Sequence, residues 1–100
     1  MNIIGKDLLI NFWEEKGETE NSLKTWIKII ETSNFKHIFG LKQTFRYADA
    51  VYNCVAFNIR GNHYRLITRI NYETQTILVL YVLTHQEYDK QNWKDKDCRC

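Results

Sequence analysis

The chain has 100 residues, 44% of them hydrophobic and 14% aromatic, with a formal net charge of +2. That suits one domain, residues 1–100, with enough apolar material for a real core. No run of about 18 apolar residues is present, which argues against a membrane span, and the first residues lack the apolar stretch of a signal peptide, so a cytoplasmic protein is expected.

Asn2-Ile3-Ile4 is short and apolar and predicts an edge strand. Asp7 to Lys16 predicts a helix, because Leu9, Phe12 and Trp13 follow the i, i+3, i+4 rule and Gly17 is placed to end it. Thr19 to Thr32 predicts a second helix with Leu23, Trp26, Ile27 and Ile30 on its apolar face and Lys24 and Lys28 on its wet side. The short link between them predicts an antiparallel helical hairpin, with the aromatic positions as core. Ser33 to Ala50 has no clean period; a loop with a short helical turn is expected, pinned by Phe35, Phe39 and Phe45 and decorated by Lys36, His37, Lys42 and Arg46.

Three strands are predicted next. Val51 to Ile59 alternates, Gly61-Asn62 is a tight-turn pair tolerant of positive φ, and His63 to Tyr72 returns as the partner strand. Glu73-Thr74-Gln75 makes the next turn. Thr76 to Leu83 is apolar on both faces and is expected to be the most buried strand. Thr84 to about Trp93 predicts a short last helix, opened by the capping box Thr84-His85-Gln86-Glu87. Lys94 to Cys100 is charged and expected to fray. The predicted fold class is α+β: an N-terminal helical hairpin packed on an antiparallel sheet of three main strands plus a short N-terminal strand, with a short C-terminal helix.

The three cysteines give no framework. Cys54 falls in a strand and reads as a small core residue. Cys98 and Cys100 form a C-x-C pair short of the four ligands a metal site needs. An odd count in a cytosolic protein argues against structural disulfides. No cofactor or metal is expected.

Charge is unevenly spread. Residues 33–72 hold Lys36, Lys42, Arg46, Arg60, Arg65 and Arg69 against Asp49 alone, a basic zone of the kind a polyanion site needs and equally compatible with a solvated face. Strand alternation puts His63, Arg65, Arg69 and Asn71 on one side. Arg65 and Arg69 lie about 13 Å apart at ~3.3 Å per residue, too far to grip one phosphate from identical poses but able to flank a backbone. An arginine fork gives two parallel hydrogen bonds to phosphate oxygens. His85 opens the predicted last helix, where free N–H groups favour phosphate, and Tyr88 lies one turn on. Metal-free RNA cleavage needs a base for the 2′-hydroxyl proton, a cation for the crowded phosphorane and an acid for the leaving oxygen. His85, Arg65 or Arg69, and Tyr88 supply those types.

The same residues carry a family resemblance. Tyr47-Ala48-Asp49-Ala50-Val51 resembles P-S-A-D-x-V, with Tyr47-Ala48 in place of Pro-Ser. Val55 to Ile67, read as Val55-Ala56-Phe57-Asn58-Ile59-Arg60-Gly61-Asn62-His63-Tyr64-Arg65-Leu66-Ile67, resembles V-V-F-N-I-x-G-N-x-Y-R-L-V. Arg69-Ile70-Asn71-Tyr72 resembles R-I-N-Y, and Thr84-His85-Gln86-Glu87-Tyr88-Asp89 resembles G-T-H-x-E-Y-D, with Leu83 in place of Gly. In this order the segments resemble the HigB toxins of the RelE/ParE superfamily, found in type II toxin–antitoxin systems.

The resemblance implies a RelE/ParE-like α+β fold and an mRNA interferase, a metal-independent endoribonuclease that cuts mRNA on the translating ribosome and inhibits translation. It implies silencing by a HigA-like antitoxin with a helix-turn-helix domain. It points to Arg65, Arg69, His85 and Tyr88 as catalytic and to Lys42 as a phosphate contact; Arg60, His63 and Asn71 are the further candidate RNA contacts. The family often has Arg five residues before the His, where this chain has Leu80. That departure keeps two other readings open: a ParE-like toxin that binds protein, and a decayed toxin that binds RNA or protein without catalysis.

Overall fold

The computed structural model describes residues 1–90 together with Trp93 and Cys98. Five strands, β1 (Asn2–Ile4), β2 (Asp49–Val51), β3 (Cys54–Ile59), β4 (Tyr64–Asn71) and β5 (Thr76–Thr84), form one sheet in the order β1-β5-β4-β3-β2. The helices are α1 (Lys6–Glu15), α2 (Glu20–Thr32), α3 (Ile38–Thr44) and α4 (His85–Lys90), with a 3-10 turn at Gly17–Thr19 between the first two. The expected frayed segment, Cys98 excepted, and the end of the expected last helix beyond residue 90, Trp93 excepted, lie outside the described residues.

The helical hairpin forms as the periodicity predicts. Leu9, Leu23, Trp26 and Ile30 are buried and pack on Phe57, Ile59, Leu66, Ile77 and Val79 of the sheet. Trp26 and Phe45 both meet Phe57 edge-to-face, at centroid distances of 5.4 and 4.9 Å. Gly5 precedes α1 at φ 98°, and a Cβ there would press on Val79 at 3.2 Å, so only glycine fits without strain. The unperiodic middle segment contains α3, capped by the His37 ring, which accepts from the Gly40 N–H. It is pinned to the β4–β5 turn by Gln75, whose amide donates to the Phe35 and Tyr72 carbonyls.

Several expectations are corrected. The sheet has five strands and is mixed, because β1 runs parallel to β5. The run beginning at Val51 is not one strand: Tyr52, at φ 54°, reverses the chain between β2 and β3. The left-handed residues of the next turn are Arg60 and Gly61, rather than Gly61 and Asn62. The most buried strand is β3 and not β5, in which only Ile77 and Val79 are buried. The reason is position: β3 lies between β2 and β4 with both faces covered, whereas β5 has only three residues of β1 on its outer side.

The largest correction concerns cysteine. Cys54 and Cys98 form a disulfide, 44 residues apart in sequence and 5.2 Å apart between Cα atoms. Both are buried. The sheet brings Cys54 to the face opposite the helical hairpin, where Cys98 covers it and accepts a hydrogen bond from the Asn53 N–H through its carbonyl. In the chain-entropy account, closing a loop of this span contributes about 4 kcal/mol.

Candidate active site

Strand registers fix what stands beside what on this second face. Asn58 pairs with Arg65 and Arg65 with Leu83; Asp49 pairs with Ala56, Ala56 with Ile67 and Ile67 with Tyr81; Val51 pairs with Cys54 and Cys54 with Arg69. Three cross-strand rows result. Arg65 lies in the first, small and apolar side chains in the second, Arg69 in the third. A bulge in β5 interrupts the alternation: Thr68 pairs with Val79, leaving Leu80 as the extra residue. Leu80 joins Ile67, Ala56, Trp93 and the disulfide in a small apolar cluster. The position at which the family often has a cation therefore belongs to the apolar floor of this face.

The first row opens into a cleft of about 400 Å³, lined by Lys42, Arg46, Tyr47, Ala48, Asp49, Ala56, Asn58, Arg65 and Tyr88. α3 supplies Lys42 from its last turn, the link to β2 supplies Arg46 and Tyr47, and α4 supplies Tyr88. Three cations thus face one opening, and three positive side chains around one space favour a polyanion. Among the described residues, Asp49 is the one acidic side chain in the lining.

Arg65 is held from three sides. Its guanidinium donates to the Tyr64 carbonyl at 3.2 Å and to the Asn62 side-chain oxygen, and stands 5.2 Å from the centre of the Tyr88 ring. Such a cation over an aromatic face is worth about 0.5–1 kcal/mol at exposed sites. Tyr88 in turn stacks on Trp93, with ring centroids 5.2 Å apart and planes 22° apart, and Trp93 Nε1 donates to the Tyr88 carbonyl at 3.1 Å. Burial raises the Tyr88 hydroxyl above its ordinary 10.0; the carboxylate of Asp49 pushes the same way and Arg65 opposes it. Like an ordinary tyrosine, Tyr88 is a protonated phenol at neutral pH, able to donate a hydrogen bond, and the raised value makes it still less fit to act as a base.

The capping box forms as expected. The Thr84 N–H donates to the Glu87 carboxylate at 2.9 Å, and the Glu87 N–H to the Thr84 hydroxyl at 3.2 Å. It starts α4 directly on the end of β5. His85 follows, its backbone N–H bonded to the His63 carbonyl and its imidazole 3.3 Å from Asp89 one turn on.

The sequence candidates are thus divided. Arg65, Tyr88 and Lys42 meet in one cleft. His85 is outside its lining, half-exposed at the start of α4 beside the β3–β4 turn that carries the exposed His63. Arg69 and Asn71 line a different hollow, of about 660 Å³, with Ile4, Tyr72 and Leu78; Asn71 accepts there from the Thr74 N–H. Arg60 is on the helical side, paired with Glu18 at 3.1 Å. Arg46, Tyr47, Asp49 and Asn58 were missed as site residues. Asn58 could have been found from the register, since it stands opposite Arg65. Among the described residues no group of three His, Cys, Asp or Glu could hold a metal ion, and no helix is long and apolar enough to cross a membrane.

Comparison with known proteins bears on this geometry. The mRNA interferase toxin HigB of Escherichia coli K12 is 34% identical over 56 residues, covering 56% of this chain and 51% of that protein. The mRNA interferases HigB of Escherichia coli O157:H7 and Shigella flexneri match to the same extent. The chain spans about half the length of the curated relatives it matches. The family model of HigB toxins, described as the RelE-like toxic component of a toxin–antitoxin system, matches residues 19–91, a stretch that contains all three β-hairpins, the cleft and α4. The chain therefore belongs to the HigB toxin family.

Proposed function

We propose that residues 1–100 act as one toxin domain, a metal-independent endoribonuclease that cuts mRNA on the ribosome in the cytoplasm and is silenced by a HigA-like antitoxin with a helix-turn-helix domain. The observation that carries this reading is the meeting of Lys42, Arg46 and Arg65 with Tyr88 in one cleft. The names of the relatives, mRNA interferases, support it.

In this reading Lys42 and Arg46 hold the RNA backbone, and Arg65 stabilises the charge that develops on the phosphorane. The 2′-oxygen attacks the neighbouring phosphorus as its proton leaves to a base. The bond from phosphorus to the 5′-oxygen breaks, and that oxygen takes a proton from an acid. Tyr88 is the acid: its phenol carries a proton at neutral pH and lines the same cleft as Arg65. His85, at the rim, is the base once RNA bridges from cleft to rim. Arg69, in the neighbouring hollow, holds a more distant phosphate, with Asn71 beside it; Arg60 and His63 contact RNA only if its path leaves the cleft.

The test is growth arrest and primer extension on cellular mRNA after a pulse of expression. Wild-type chain is expected to create new 5′ ends with codon spacing, and Arg65→Ala and His85→Ala are each expected to abolish them while remaining folded by circular dichroism. Unchanged toxicity in both folded variants refutes the assignment. Leu80, apolar where the family often has Arg, favours a second reading: a ParE-like toxin that binds protein. DNA damage without new mRNA ends would select it.

A further inference from the structure

The first turn of α4 is fastened by its capping box. A short helix is marginal without tertiary support, and α4 carries Tyr88. Support at its far end comes from Trp93, which stacks on the Tyr88 ring and bonds its carbonyl. Trp93 is 7% exposed and packs in one cluster with Cys98, Cys54, Ala56 and Ile67. Cys98 is covalently tied to Cys54 of β3. A continuous chain of contacts thus leads from the disulfide through Trp93 and Tyr88 to Arg65.

We propose that the Cys54–Cys98 disulfide and Trp93 form a redox-sensitive clamp that keeps Tyr88 and Arg65 in place, so that a dithiol reductant loosens the cleft. The reductant supplies two electrons and two protons to the sulfur atoms. The S–S bond breaks, Cys54 and Cys98 become thiols, and the reductant closes to its own disulfide. Cys98 then loses its tether, and Trp93 keeps its stack and hydrogen bond to α4 and its packing on Ala56 and Ile67 without the covalent backing that Cys98 gave it. Trp93 is a positioning residue here: it touches Tyr88 and not the substrate. The effect on RNA rests on the proposed function; the effect on α4 does not.

The test uses the full chain with Cys100→Ser, so that Cys54 and Cys98 are the remaining cysteines, in oxidised form and after dithiothreitol, with thiol alkylation to confirm each state. Two readouts are made: amide hydrogen exchange over residues 85–90, and affinity for a non-cleavable 2′-O-methyl RNA oligonucleotide by fluorescence anisotropy. Reduction is expected to speed exchange in α4 by about tenfold or more, since local opening sets exchange. It is expected to weaken oligonucleotide binding about fivefold or more, the range of one lost aromatic contact. Oxidised Trp93→Ala should reproduce both changes; oxidised Trp93→Phe, which keeps the stack, should recover most of the binding. Cys98→Ser should match the reduced chain without any reductant. Unchanged exchange after confirmed reduction overturns the clamp, as does unchanged or tighter binding by the reduced form. If neither form binds the oligonucleotide, the RNA reading fails and the exchange measurement alone decides the clamp.

Discussion

On one face of the sheet, Leu9, Leu23, Trp26 and Ile30 from two helices cover Phe57, Leu66 and Ile77. On the other, Ala56 and Ile67 are covered by one tryptophan and a disulfide. The first face uses area: large apolar side chains at helical spacing meet large apolar side chains of the strands, and burial of this kind is worth about 1.5–3 kcal/mol per side chain. The second face has little apolar area, because much of it is given to cations, an acid and a phenol around an open cleft. There a covalent link does what area does elsewhere. The difference teaches that fold and site are carried by separate surfaces of the same strands, so a residue's parity within a strand decides which of the two it serves.

The hardest blow to that division is a cavity on the helical face. Leu23 is fully buried in the hairpin, so Leu23→Ala is expected to cost about 2–5 kcal/mol, read as a fall in denaturation midpoint. Arg65→Ala, on the other face, should change stability by less than about 1 kcal/mol, since its contacts are a cation–aromatic pair and half-exposed hydrogen bonds. It should lower cleavage by about 100- to 1000-fold if it stabilises the phosphorane. A destabilised, fully active Arg65→Ala protein would break the comparison.

A smaller effect is expected at the seam between β1 and α1. Gly5→Ala forces a side chain into a left-handed backbone at φ 98° and against Val79 at 3.2 Å. A loss of about 1–2 kcal/mol is expected, seen in urea denaturation, with cleavage per folded molecule unchanged. A change in cleavage would mean that strain on the helical side is felt in the cleft.

The two faces were also unequally legible. Leu9, Phe12 and Trp13, and Leu23, Trp26 and Ile30, announce their helices because local spacing and tertiary role coincide. The capping box at Thr84 was legible for the same reason: both partners lie within four residues. What escaped depends on distant parts of the chain. The β2–β3 hairpin was hidden because Tyr52, with no glycine beside it, adopts the left-handed turn. The odd cysteine count spoke against a bridge that only the approach of Cys98 to β3 creates. Arg65 and Arg69 were rightly put on one face, yet the row between them, with Ala56 and Ile67 under Trp93 and the disulfide, sends them to different hollows. Lys42, Arg46 and Asp49 join Arg65 through the fold of α3 and β2, and no spacing rule reaches that far.

The subtlest contrast between the faces is electrostatic. Burial, and then Asp49, raise Tyr88 above 10.0, the value it has when free. Its neutral form is favoured in the folded chain, so the unfolded chain gives up this proton first as pH rises. The stabilisation is complete below pH 10.0 and is lost as pH climbs from there through the folded value. Tyr88→Phe has no proton to lose and should lack this part of the alkaline decline. Stability measured by denaturant from pH 8 upward is therefore expected to fall more steeply above about 10 for the wild-type chain than for Tyr88→Phe. Parallel curves would mean that the hydroxyl is open to water in the folded protein, so that the cleft shields Arg65 and its neighbours no better than free solvent does.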